Sequence, residues 1–213
     1  MKNDYSNIQI KICGITTISD AQKCVTLGAN LLGFNFYKPS SRYVDPLHAA
    51  TIIATLPKTI VNVGVFVNMP LDELTVLLKV CPLDIVQLHG DETNEHCQAV
   101  KALGVKVLKA VRVRNIDDIN QSKAFDVDGL LLDAYHESLY GGSGDTFDWG
   151  FIQKAGCDNL FLAGGITCDN IAEALQVGTQ GIDLCSGVES SGGIKDHAKL
   201  EKLFTIIQRQ IRS

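Results

Sequence analysis

Eight short apolar runs, most of them rich in β-branched residues, recur along this chain: IQIKICG from Ile8, LLGFNF from Leu31, VNVGVF from Val61, DIVQLHG from Asp84, KVLKAVRV from Lys106, GLLLDAY from Gly129, LFLAGG from Leu160 and IDLCSG from Ile182. They alternate with stretches of helical spacing, at 19–27, 46–56, 70–79, 93–103, 115–123, 148–155, 169–177 and 198–212. Several of these stretches open on a capping residue or a proline. Buried strands alternating with helices imply right-handed βα units and a parallel sheet. The number eight suggests closure. Spread over 213 residues the pitch is about 27 per unit, a compact version of the (β/α)8 barrel, which typically takes roughly 250. The expectation is a single-domain α/β chain, 1–213, folded as a (β/α)8 TIM barrel. The structural alternative is an open doubly wound sheet. It usually carries a glycine fingerprint after its first strand, whereas KICGITT has one glycine there. No linker, charge block or low-complexity segment divides the series.

Composition narrows the function classes. With 46% hydrophobic and 20% charged residues the chain can bury one substantial core, and a net charge of −5 without clustered Lys and Arg disfavours nucleic acid as a partner. A small molecule is the expected partner. Cys13, Cys24, Cys81, Cys97, Cys157, Cys168 and Cys185 are scattered without CxxC or His-rich spacing, so neither a disulfide framework nor a zinc site is signalled. The polar start MKNDYSN lacks a signal-peptide core, and no apolar run approaches membrane-spanning length. A reducing cytoplasm is the expected location, with no membrane partner and with monomer and homodimer both open.

In a barrel the site lies at the C-terminal ends of the strands. Those positions are polar here. Cys13 ends the first run, Gln87 and His89 share a face at the end of the fourth, Asp133 ends the sixth, and Asp183 lies on the eighth. In KICGIT, Lys11 and Cys13 share a strand face while Ile10, Ile12 and Ile15 serve the packing, so an ammonium stands beside a thiol and favours its thiolate. Gly14 allows a sharp exit, and Thr16 with Thr17 can cap the following helix. Free cysteine is also among the most commonly buried residues, and a strand-end aspartate can simply cap a helix. Arg42, in the loop after the second run, can grip a carboxylate through its planar fork. Asp91 and Glu92 are expected to help start a helix, His89 to act as wall residue or proton carrier, and 141–149, GGSGDTFDW, to form a flexible loop near the pocket.

The last two units carry an anion signature. AGGI runs toward a helix with Thr167 and Asp169 as possible caps, and SGVE is followed by SSGG. Glycines let backbone N–H groups approach an anion, and a helix N-terminus adds a favourable dipole. Two such turns after strands seven and eight match the recurrent barrel phosphate site. Closure sets strand eight beside strand one, which flanks a bound phosphate by Cys13 on one side and Asp133 on the other. One group then donates to an oxygen while the other takes a proton from carbon.

Taken in order, KICGIT, GVFVN, VQLHGDE, LLLDA, GGSGDTFDW, LAGGI and SGVE resemble the phosphoribosylanthranilate isomerase family along nearly the whole chain. The resemblance implies a (β/α)8 barrel of tryptophan biosynthesis that performs an Amadori rearrangement with neither metal nor organic cofactor. It implies Cys13 as general base, Asp133 as general acid and Arg42 as the holder of the anthranilate carboxylate. Asp183 is implied to contact the sugar hydroxyls, and Gly164, Gly165, Ser186 and Gly187 to cradle the phosphate. Gln87 and His89 complete the expected substrate-binding wall. Two positions depart from the family pattern: Ser40-Ser41-Arg42 replaces a Ser-Pro-Arg type of run, and Cys185 stands where serine is frequent.

Two rival readings use the same barrel. A metal-dependent phosphosugar epimerase requires several His or acidic ligands at the strand ends, yet His89 is the only histidine there and strand two ends in Asn-Phe-Tyr. A non-catalytic phosphosugar-binding barrel keeps the glycine loops and loses the acid and base. Here both groups remain.

Overall fold

A computed structural model of the chain describes residues 8–135, 146–156 and 158–212. The eight strands are β1 (Gln9–Cys13), β2 (Leu31–Asn35), β3 (Val61–Phe66), β4 (Ile85–Leu88), β5 (Lys106–Val113), β6 (Gly129–Ala134), β7 (Leu160–Leu162) and β8 (Gly181–Leu184). Each pairs in parallel with the next, and β8 pairs with β1, closing the barrel. The helices α1 (Ile18–Leu27), α2 (Pro46–Ile53), α3 (Leu71–Val80), α4 (Asn94–Lys101), α5 (Ile116–Ser122), α6 (Gly150–Ala155), α7 (Ile171–Gln176) and α8 (His197–Arg212) alternate with them. The open-sheet alternative is thereby excluded.

Local chemistry explains most boundaries. Thr17 caps α1 by accepting from the Asp20 amide at 3.1 Å, and Gly28 ends it in the left-handed region at φ 114°. Asp45 caps α2 with Pro46 in its first turn, and Asn115 with Asp118 forms a capping box on α5. Strand alternation then sorts the core. Ile10, Ile12, Phe34, Leu88, Leu132 and Leu162 face outward into the packing against the helical jacket. Leu31, Val63, Leu108, Ala110, Leu131, Phe161 and Ala163 form a separate cluster inside the barrel. Toward the C-terminal ends the inward positions turn polar: Ile85 gives way to Gln87 and Leu131 to Asp133.

Three local expectations are corrected. Neither Thr167 nor Asp169 caps α7: the helix begins at Ile171 with Asn170 as the preceding residue, and Asn170 Oδ1 accepts from the Thr167 amide at 2.8 Å. Glu92 does not start α4, which is capped by Thr93. It is buried, accepts from the amides of Asn68 and Gly90 at 2.8 and 2.9 Å, and pairs with Lys109 at 3.0 Å. The SSGG stretch does not run into a helix N-terminus. After a 3₁₀ turn at Ser186–Val188, β9 (Glu189–Ser191) and β10 (Ile194–Lys195) form an antiparallel hairpin whose Gly192-Gly193 tip rests on Ser41 and Arg42. A Gly-Gly pair between short β runs is also a hairpin signal. Residues 1–7, Cys157 and the 141–145 part of the expected loop lie outside the described residues. Among the described residues no helix is long and apolar enough to cross a membrane.

Candidate active site

The expected catalytic, substrate-binding and phosphate-binding residues meet at one pocket in the C-terminal mouth of the barrel. Cys13, Arg42, Gln87, His89, Asp133 and Asp183 line it together with Gly164, Gly165, Ser186 and Gly187. About 650 Å³ of empty space lies among these residues, the open solvent at the mouth included. The two glycine loops touch: a Cβ on Gly187 would lie 2.0 Å from the Ile166 carbonyl oxygen, so no side chain is tolerated there.

On the β1–β8 side, charges dominate. Lys11 is fully buried, and its Nζ donates to Asp183 Oδ1 at 2.9 Å across the barrel seam. Burial opposes the charge on Lys11, but Asp183 and the Cys13 sulfur outweigh it and raise its pKa. Burial pushes Asp183 up to about 7, with Lys11 pulling the other way. The carboxylate shares its cation with Cys13, so the ion pair compensates only part of the lost hydration.

Cys13 is held well below the ordinary thiol range. The largest cause is a hydrogen bond from Cys185, which outweighs burial; the positive charges of Lys11 and Lys195 add to it. Donating to Cys13 and burial both keep the proton on Cys185. The Lys11 contribution follows from strand alternation. Cys185 and Lys195 do not: both come from the opposite end of the chain, and only closure of β8 onto β1 brings them here.

Arg42 is fixed by a residue that sequence reasoning passed over. Glu189 accepts from Arg42 Nε at 3.1 Å and from Nη2 at 2.8 Å, and from Lys195 Nζ at 2.8 Å. Against burial, Arg42 and Lys195 hold this carboxyl below its usual range. Two cations and one anion leave one positive charge for an anionic ligand. Ser40 fixes the loop that carries Arg42: its Oγ accepts from Asn35 Nδ2 at 3.2 Å and from the Arg42 amide at 3.1 Å. Asn35, Ser40 and Cys185 also line the pocket. Glu189 closes the SGVE motif, so it was visible as a motif residue but not as the partner of an arginine 147 positions away.

The β4–β6 side is built from hydrogen bonds. Gln87 and His89 share a face, and Gln87 Nε2 lies 2.7 Å from His89 Nδ1. His89 Nε2 lies 3.2 Å from Asp133 Oδ2, while Asp133 Oδ1 accepts from the Ala134 amide at 2.9 Å. With Gln87 as donor, His89 carries its proton on Nε2 and presents it to the carboxylate. Gln87 Oε1 is buried and has no hydrogen-bond partner among the described residues. A buried amide oxygen in a pocket wall is a waiting acceptor for a ligand hydroxyl. Among the described residues no cluster of three or more His, Cys, Asp or Glu side chains has the geometry to hold a metal ion.

Fold and pocket together define a (β/α)8-barrel enzyme equipped for acid–base chemistry on a small anionic substrate. Residues 10–206 match the family described as N-(5'phosphoribosyl)anthranilate (PRA) isomerase, and the chain belongs to that family. It is 45% identical over 200 residues to the N-(5'-phosphoribosyl)anthranilate isomerase of Geotalea uraniireducens, covering 92% of this chain and 96% of the relative. The crystal structure of phosphoribosyl anthranilate isomerase from Thermus thermophilus superposes with a TM-score of 0.86 at 33% identity, over 95% of this chain and 99% of that one. A further phosphoribosyl anthranilate isomerase, solved in complex with reduced 1-(o-carboxyphenylamino)-1-deoxyribulose 5-phosphate, has a TM-score of 0.83 at 34% identity, with the same coverage.

Proposed function

We propose that this chain converts N-(5-phosphoribosyl)anthranilate into 1-(2-carboxyphenylamino)-1-deoxyribulose 5-phosphate, an Amadori rearrangement in tryptophan biosynthesis, without a metal or organic cofactor in a reducing cytoplasm. The reading rests on one observation above all: a thiol favoured as its anion and a carboxyl group line the same pocket, with the glycine loops after β7 and β8 between them.

Asp133 donates a proton to the furanose ring oxygen, and the ring opens to an iminium. The carboxylate left behind receives the His89 Nε2 proton as a hydrogen bond, oriented in turn by Gln87, which stabilises the charge formed on donation. The Cys13 thiolate takes the proton from C2, made acidic by the adjacent iminium. The resulting enolamine tautomerises to the ketone. Arg42, held in the plane of Glu189, offers its free edge to the anthranilate carboxylate; the backbone of Gly164, Gly165, Ser186 and Gly187 cradles the phosphate. Asp183 and the free oxygen of Gln87 face the sugar hydroxyls.

Anthranilate fluorescence follows consumption of the substrate. Cys13→Ser and Asp133→Asn are each expected to lose on the order of 10²-fold or more in kcat. A near wild-type rate in either purified variant removes that residue from its assigned role.

A further inference from the structure

Cys185 gives the pocket a second sulfur beside that of Cys13. In the β1–β8 pairing Ile12 lies opposite Leu184; Cys13 ends β1, Cys185 follows the end of β8, and a Cβ on Gly14, the residue after Cys13, would lie 3.4 Å from the Cys185 sulfur. One alternation earlier, Lys11 and Asp183 point inward and meet at 2.9 Å, which shows that side chains at paired positions of this seam reach each other. Neighbouring strands lie about 4.8 Å apart, inside the roughly 4.4–6.8 Å window of Cα separations that a disulfide spans. Both side chains line the solvent-open pocket, where Cys185 Sγ also lies 3.9 Å from Glu189 Oε1.

We propose that Cys13 and Cys185 are a redox-sensitive dithiol that low-molecular-weight disulfides close into a reversible intramolecular disulfide across the β1–β8 seam. The Cys13 thiolate attacks one sulfur of the reagent, forming a mixed disulfide and expelling one thiolate. The Cys185 sulfur then attacks the Cys13 sulfur, the mixed bond breaks, and the second thiolate leaves with the proton given up by Cys185. The pair loses two electrons and the reagent gains them. Buried Cys24, Cys81 and Cys97 sit in the packing between barrel and helices, and Cys168 contacts the Lys199 carbonyl outside the pocket, so none of these competes as resolving thiol.

Formation of the bond does not depend on the role given to Cys13 under Proposed function; the loss of turnover does. The test incubates the full chain with oxidised glutathione, quenches with acid, and maps the cysteine peptides without reduction. A cross-link between the peptides carrying Cys13 and Cys185 is expected, with turnover lost in proportion to the linked fraction and both reversed by dithiothreitol. In Cys185→Ser the reaction is expected to stop at a glutathionyl adduct on Cys13. A wild-type chain that also stops at that adduct, or that leaves both thiols free while Cys168 reacts, overturns the proposal. A cross-linked chain that retains full turnover upholds the dithiol and removes Cys13 from the base role instead.

Discussion

The two flanks of the pocket solve one problem, control of a proton, by different means. The flank on β1 and β8 gathers formal charges: Lys11, Asp183 and Cys13, backed by Lys195, Glu189 and Arg42. The flank on β4 and β6 is a relay of hydrogen bonds from Gln87 through His89 to Asp133. A base that must begin the cycle ionised is served by a thiol donor and by nearby cations. An acid that must change charge during turnover is better served by a neutral donor, which stabilises the carboxylate once formed without forbidding the protonated form. Both groups change protonation during turnover: a thiol donor and cations favour the base in its anionic starting state, and a hydrogen-bond relay meets the acid as it gives up its proton.

The contrast breaks most visibly in Lys11→Met. Removing one partner of a buried pair is expected to cost about 3–5 kcal/mol at neutral pH, read as a fall in the urea midpoint, because Asp183 loses its counter-ion and must take up a proton to remain buried. The sign with pH follows from Asp183. Burial raises its folded-state pKa to about 7, above its unfolded value. Its contribution to stability is therefore full below the unfolded pKa and lost as pH rises through about 7. The deficit of Lys11→Met relative to wild type should shrink at pH ~5, where the carboxyl takes up a proton, and grow at pH ~8. An equal deficit at both values would mean that the lysine acts only by packing.

The pH profile of kcat/KM sharpens the comparison. Cys13 cannot accept a proton once protonated, so activity falls as pH drops through its pKa, and that limb lies below the ordinary thiol range. Cys185→Ala removes the donor to the thiolate and should move the limb up by about one pH unit, equivalent to ~1.4 kcal/mol. Lys195→Met should move it in the same direction by less. On the other flank, Gln87→Leu should lower kcat by about ten-fold, or ~1.4 kcal/mol, and leave the limb in place. A displaced limb in the Gln87 variant would show that the flanks are electrostatically one unit. The smallest effect is expected from Glu189→Gln, which releases Arg42 from its bidentate hold: KM should rise several-fold, about 1 kcal/mol, while kcat changes little.

Much of this architecture was legible in sequence because it is local. Strand runs, caps such as Thr17 and Asp45, and the polar residues at strand ends each announce themselves within a few positions. The same logic brought the expected residues to one pocket, since every strand of a closed barrel delivers its end to the same mouth. What was not legible depends on closure and on the hairpin. Glu189, Lys195 and Cys185 act on Arg42 and Cys13 through contacts that no spacing encodes. Glu92 was misread for a related reason. An acidic residue ahead of a helix usually joins the first turn, and its burial against Lys109 on the next strand is a tertiary fact.

The seam between the first and last strands has a consequence for how the molecule comes into being. Lys11 emerges from the ribosome early, whereas its partner Asp183 is 172 residues later. Until the eighth unit is made, the growing chain holds an ammonium with no counter-ion to accompany it into the interior, and one wall of its binding mouth does not exist. Competence is thus conferred in a single event, and a nascent chain interrupted before β8 is made lacks that wall of the pocket.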